Sequence, residues 1–331
     1  MNEQPIEEHF PVVLDATQRS CFASCPRKFY YEFVLGLCPP SGHNNIHLTA
    51  GGAIAKACET ARREFYGNNQ TESDSLALGL SALIQHYGPE IDPDSVKSLS
   101  RTIDAYLAYF GVIPNAPGAC NMGVYKLGED PYPPYMGPNG PAVEFSFSLE
   151  LDALGPSNES LSYYGRFDQI VQSDYGLLGS DEKTASHFDK NWSAKWALRG
   201  QFLGYIYGAR RAGVNLTGML ARGLVFQKTQ FHFPEALVLP PQSVINDYYH
   251  QLEYDVKYMV GCWKNDFWPQ NFSDACTSFS GCQFSRLCES PTPEAWYTSY
   301  NIERWDPTIG KRIVLWSPNE DESIPSPFEA F

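Results

Sequence analysis

Residues 142–151, AVEFSFSLEL, alternate apolar and polar side chains, the pattern of a half-buried strand with Glu144, Ser146 and Ser148 on one face. Residues 163–184, YYGRFDQIVQSDYGLLGSDEKT, give two more runs of strand formers around Ser173-Asp174-Tyr175-Gly176. Those four residues have the chemistry of a type I turn, and the hairpin they predict pairs Gln172 with Leu177. Helical spacing dominates elsewhere. Residues 49–66, TAGGAIAKACETARREFY, predict a helix with Ala53, Ala57 and Ala61 in one stripe and Ile54, Cys58 and Phe65 beside it. Two helices follow between 73 and 111, and another over 189–211 puts Gln201 and Tyr205 on one face. Gly200, Gly204 and Gly208 let that last helix pack closely on a sheet. A strand pair is expected over 220–228 and 232–239, then a long helix over 242–267. Near the start, residues 15–35 read as a helix interrupted at Pro26. Residues 111–141 are dense in Pro and Gly and read as loop.

Composition narrows the class. Hydrophobic residues make up 43% of the 331 positions and aromatics 14%, enough for a sizeable core. No apolar run reaches the ~18 residues of a membrane span. The acidic start, MNEQPIEEHFPVV, does not read as a secretory signal, so a cytoplasmic protein is the expectation. The formal net charge of −14 argues against a protein that coats nucleic acid non-specifically. It leaves room for a local site that holds phosphates within an acidic body. Nine cysteines, an odd number in an expected cytoplasmic chain, argue against a disulfide framework.

The hairpin carries candidate chemistry. Its register puts Asp168 opposite Asp181, with facing Cβ atoms ~5 Å apart, where like charges repel. A divalent cation between them turns that repulsion into coordination. Alternation places Asp181 and Lys183 on one face and turns Glu182 to the other. The competing reading is a surface hairpin with solvated charges.

These residues form the Asp…(Asp/Glu)-x-Lys constellation, and the chain resembles the PD-(D/E)XK nucleases of the RecB/AddB-like branch. Gly165-Arg166-Phe167-Asp168 looks like the family's G-x-x-D strand and Asp181-Glu182-Lys183-Thr184 its D-x-K-T strand. Gln201 to Tyr205 matches the Q-x-x-x-Y helix, and Cys25-Pro26-Arg27-Lys28-Phe29-Tyr30-Tyr31 resembles the N-terminal signature. The resemblance implies an α/β fold, a mixed central sheet flanked by helices. It implies Mg²⁺ or Mn²⁺ held by Asp168, Asp181 and the backbone carbonyl of Glu182, with Lys183 orienting the attacking water and Gln201 and Tyr205 contacting the DNA backbone. The family writes its first helix G-x-x-x-H-x-x-x-E, with the His a metal ligand; aligning Gly51 and Glu59 leaves Ala55 at that place. Either Glu59 reaches the metal or water fills the position, and Glu59 could equally be a partner of Arg62 or Arg63. Glu144 stands where RecB-like sequences often carry a Glu, and Arg27 and Lys28 divide between phosphate contact and a solvated face.

Three late cysteines, Cys276, Cys282 and Cys288, are spaced C-x₅-C-x₅-C among Gly and short polar residues. Converging thiolates favour a soft metal or an iron–sulfur cluster. The family resemblance supplies a fourth ligand, Cys25, and implies a [4Fe–4S] cluster. Zn²⁺ is the second choice and Cys21 the rival fourth ligand. Such a centre would tie the two ends of the chain together.

The expected organisation is a flexible tail over 1–14 and a single nuclease domain over 15–290. That domain would hold an insertion at about 70–141 and a cysteine cap over 272–290, and a Pro-rich acidic tail would follow over 291–331. The implied activity is a DNA exonuclease working on ends or single strands in recombination, replication or repair, with a helicase or recombinase as partner and no membrane. The combination of AGGAIAKACE with GCQFSRLC looks like bacteriophage-encoded members, which would put it in a host cytoplasm. Two alternatives stand: a catalytically silent nuclease-fold protein that binds DNA or a partner, and a structural metal module.

Overall fold

Local signals set the first boundaries. Asp15 caps the helix that follows by accepting the Gln18 N–H at 2.8 Å, while the Gln18 side chain accepts the Asp15 N–H at 2.9 Å. Cys25 then leaves the helical region, and Pro26 restarts the helix at its first position, where a missing N–H costs nothing. The computed structural model describes residues 6–40, 45–272, 274–277 and 281–316. Its elements are β1 (Val13–Leu14), α1 (Ala16–Ser24), α2 (Pro26–Phe29), β2 (Leu37–Cys38), α3 (Ile46–Arg62), α4 (Glu72–Tyr87) and α5 (Leu99–Tyr109). Then come β3 (Met136–Gly137), β4 (Gly140–Pro141), β5 (Val143–Leu154), β6 (Ser160–Ser173), β7 (Gly176–Ala185) and α6 (Gly200–Arg211). The chain continues through β8 (Leu216–Phe226), β9 (Phe231–His232), β10 (Glu235–Val238), α7 (Gln242–Lys264), α8 (Ser285–Glu289), β11 (Asn301–Asp306) and β12 (Lys311–Trp316).

The fold is α/β. A mixed sheet runs β1-β6-β7-β8-β10, with β5 beside β6 and β9 beside β8. The β6–β7 pair is antiparallel and β7–β8 parallel. No helix among the described residues is long and apolar enough to cross a membrane.

The chain divides into two compact units. The first holds residues 1–43, 149–164 and 250–331, and the second 44–148 and 165–249. In the second unit the expected stripe of Ala53, Ala57 and Ala61 is fully buried, together with Ile54 and Cys58. It packs with Tyr106 and Tyr109 of α5 and with Leu224, Phe226 and Phe233 around β8. In the first unit, Tyr31, Leu35, Leu37, Phe284, Leu287 and Tyr300 form a separate cluster.

Four expectations need correction. Residues 6–14 are not a loose tail: Phe10 and Leu14 are buried, and β1 pairs in parallel with Ser162–Tyr163. The helix expected over 189–211 starts only at Gly200. Before it, Asp189 accepts the Asn191 N–H at 2.8 Å, and such short polar side chains compete with a helix start. The strand expected over 232–239 is split by Pro234, whose carbonyl accepts the Gly223 N–H at 2.8 Å. The expected tail over 291–331 begins with structure: β12, β11 and β2 form a three-stranded sheet. The Glu303 N–H donates to the Gly36 carbonyl at 2.7 Å, and Gly36 has no room for a Cβ there. Residues 317–331, like the start at 1–5, lie outside the described residues.

Candidate active site

The hairpin closes in the expected register, Gln172 opposite Leu177 and Ser173 opposite Gly176. The Ser173 hydroxyl donates to the Gly176 carbonyl at 2.7 Å and accepts the Tyr175 N–H at 3.2 Å. Gly176 sits at φ +100°, where a side chain would be strained. The regular ladder ends at Gln169–Ser180, one pair before Asp168 and Asp181. Beyond it, the Asp168 carboxylate itself accepts the Glu182 N–H at 2.5 Å. Asp181 is buried, and its carboxylate pairs with the Lys183 ammonium.

Glu182 turns its side chain toward α3. It pairs with Arg62, and the Tyr109 hydroxyl donates to the same oxygen at 3.3 Å. Its neighbour across the β7–β8 ladder is Arg222, which takes both oxygens of Asp130 at 2.7 Å and Glu235 at 2.9 Å. The electrostatics follow from this layout. Burial, then the charges of Asp181 and Glu182, push the Asp168 carboxyl well above the usual range. Burial also raises Asp181, although Lys183 pulls it down. For Glu182 burial works upward, but Arg62, Asp168 and Arg222 outweigh it and hold the carboxyl at about 2.

Helix α6 stands beside the hairpin. Gln201 Nε2 donates to the Tyr205 hydroxyl at 2.8 Å, and the Tyr205 ring lies 5.1 Å from that of Phe167. A Cβ on Gly165 would run into the Phe147 ring and come within 3.1 Å of Tyr205; one on Gly208 would also meet Phe147. The glycine of the G-x-x-D strand is thus required by the approach of the aromatic residues around α6.

Glu59 is engaged elsewhere, by Lys56 at 2.8 Å and Arg63 at 3.1 Å. Glu144, at φ +58°, pairs with Arg166 at 3.3 Å, and its carboxyl is raised by burial and partly by the nearby Glu59. As the side chains stand, no three His, Cys, Asp or Glu among the described residues converge closely enough to hold an ion. The oxygens of Asp168 and Asp181 are turned to the Glu182 amide and to Lys183 instead.

Sequence reasoning missed the residues that surround the hairpin. Arg222 had a signal, a lone charge in the apolar run LTGMLARGLVF, where a buried charge must find partners. Arg62 falls on the α3 face that also carries Gly51, Ala55 and Cys58. Lys97 had none: it is 3% exposed, its ammonium donates to Thr184 Oγ1 at 3.0 Å, and it lies 5.5 Å from the Phe226 ring. Burial lowers its pKa to about 8.

The cysteine site lies in the other unit. Around Cys25, Asn271 Nδ2 donates to the Ser24 carbonyl at 2.6 Å, the Arg27 N–H to Pro269 at 3.0 Å and Arg27 Nε to Trp268 at 2.7 Å. These bonds seam the early turn to the segment that leads into Cys276. The Cys282 N–H donates to the Cys276 carbonyl at 2.8 Å. Burial raises the Cys288 thiol, and the proximity of Cys282 and Cys25 adds to this. The Cys21 thiol donates to Glu32 at 3.7 Å, and burial followed by that carboxylate pushes it well up. Within the expected cap over 272–290, residues 273 and 278–280 lie outside the described ones.

No family model matches the chain. No curated protein matches it. Among solved structures, the crystal structure of SSO0001 is similar at 13% identity and a TM-score of 0.34, over 85% of this chain and 87% of that one. A likeness that loose carries no argument about fold family or activity.

Proposed function

We propose that this chain is a metal-dependent deoxyribonuclease of the PD-(D/E)XK type, acting as an exonuclease on DNA ends in recombination, replication or repair. The observation that carries this reading is the hairpin register, which gathers Asp168, Asp181 and Lys183 beyond the last regular pair. The donor set is hard oxygen, which suits Mg²⁺ or Mn²⁺. Charge supports the same reading: Asp168 and Asp181 are both buried, and the charge of Asp181 adds to the burial that raises the Asp168 carboxyl. A divalent cation between them would relieve that repulsion. Asp168 and Asp181, with the Glu182 carbonyl, would hold it, after their carboxylates turn from their present partners.

When bound, the ion would lower the pKa of its water and offset charge on a phosphodiester. Lys183 keeps an ammonium at Asp181, able to donate to a phosphate oxygen or to orient the attacking water. Gln201 and Tyr205, joined by their own hydrogen bond, offer an amide and a hydroxyl to position the strand. Cys25, Cys276, Cys282 and Cys288 would hold a [4Fe–4S] cluster, with Zn²⁺ the second choice, as a staple between distant parts of the chain. A helicase or recombinase partner fits the same role.

Ala55 favours a second reading, a catalytically silent nuclease fold that binds DNA or a partner, because its methyl group cannot bind a cation. End-labelled linear DNA and a circular control, each incubated with Mg²⁺ or Mn²⁺, separate the two. Label released from linear DNA alone supports the exonuclease. No metal-dependent cleavage of either substrate supports the silent fold.

A further inference from the structure

Helix α3 meets β7 along one face. Residues 51, 55, 58 and 62 recur at spacings of four, three and four, so they share that face. At its start, a Cβ on Gly51 would lie 3.2 Å from Thr184 Oγ1. Further on, Cys58 lies close enough to Glu182 and Asp168 to feel both charges. At its end Arg62 pairs with Glu182, and the two side chains are only 2% and 1% exposed. Buried ion pairs seldom stabilise more than an apolar pair of the same volume. This one is also incompletely satisfied, since Arg62 Nη1 is buried without a hydrogen-bond partner. Its position accounts for it better than stability does. Glu182 lies between Asp181 and Lys183, and its N–H is the donor to Asp168.

We propose that Arg62 is a positioning residue of the metal site: α3 serves the site with a counter-charge that holds Glu182 away from it, where the helix carries Ala55 instead of a ligand. Clamped from the α3 side, Glu182 leaves Asp181 and Lys183 on the opposite face of the strand. Arg62 offsets the Glu182 carboxylate and so lessens the negative charge that Glu182 adds to Asp168 and Asp181. The inference rests on the nuclease reading only for its assumption that these two aspartates bind a divalent cation.

The test is Mn²⁺ binding to the full chain by calorimetry, without DNA, for a double-mutant cycle. Arg62→Met frees a carboxylate and is expected to tighten Mn²⁺ binding at least threefold. Glu182→Gln leaves a guanidinium unopposed and is expected to weaken it at least threefold. The double variant, with neither charge, and Arg62→Lys, with both, should return to within twofold of the wild type. Should Arg62→Met fail to fold, Glu182→Gln, weakened, and the double variant, near the wild type, still carry different expectations. Equal affinities for the wild type and every variant that folds, or no binding by the wild type, overturn the proposal. DNA cleavage measured on the same samples keeps the two claims apart. A wild type that binds Mn²⁺ and shows the charge pattern but cleaves nothing leaves Arg62 in its role and removes the nuclease reading.

Discussion

At the scale of single residues, the clearest feature is charge held where water is scarce. Asp168, Asp181 and Lys183 could be read from the chain because the hairpin has turn residues at its tip and strict alternation on both arms. Arg62 and Tyr109 could not, because long-range pairing of buried polar groups leaves no local periodicity; Arg222 showed only as a lone charge in an apolar run. Lys97 shows this most plainly and yields a pH prediction. Its pKa falls from 10.5 to about 8 on burial. At ~1.4 kcal/mol per unit, the buried ammonium costs about 3 kcal/mol of stability. That cost is fully present below pH 8 and is relieved as pH rises from there toward 10.5. Wild-type stability should therefore climb across this range. Lys97→Met should be more stable at pH 7 by up to about 3 kcal/mol, less its hydrogen bond to Thr184, and should lack the climb. Denaturant unfolding at pH 7 and pH 10 checks both. Identical pH slopes in the two proteins would show that Lys97 carries no such penalty.

At the scale of elements, the legible parts were those whose own pattern decides them. The α3 alanine stripe and the hairpin register came out as read, whereas β11 and β12 lay in a segment whose acidic, Pro-rich end masked its short alternation. The packing of α6 was foreshadowed by its glycines, but their partner was not. Phe147, from the strand before the hairpin, fills the space left by both Gly165 and Gly208. Helix propensity alone makes alanine about 1 kcal/mol better than glycine inside α6. Overpacking against the Phe147 ring should reverse that sign, so Gly208→Ala is expected to lose about 1–3 kcal/mol. Adding Phe147→Leu should recover most of the loss. Thermal unfolding of the three variants decides, and a stabilising Gly208→Ala would mean that the ring and helix are not tightly apposed.

At the scale of the whole molecule, two compact units each carry one candidate centre: the hairpin site in one, the cysteines in the other. The cysteine spacing was visible in the sequence, but the choice between Cys21 and Cys25 was not. A partner far along the chain bears on it: the Cys21 thiol donates to Glu32, eleven residues on. Protein purified without oxygen should be brown and contain iron and acid-labile sulfide. Replacing Cys25, Cys276, Cys282 or Cys288 by serine should bleach it, whereas Cys21→Ser and Cys58→Ser should keep the colour. Zinc in anaerobic material would replace the cluster and keep the staple. The account depends most on the hairpin, and its most direct measurement is cleavage of end-labelled linear DNA by Asp181→Asn at saturating Mn²⁺. Loss of at least about a hundredfold in rate, with the unfolding transition intact, is the predicted result. Cleavage at the wild-type rate by a folded Asp181→Asn would contradict it.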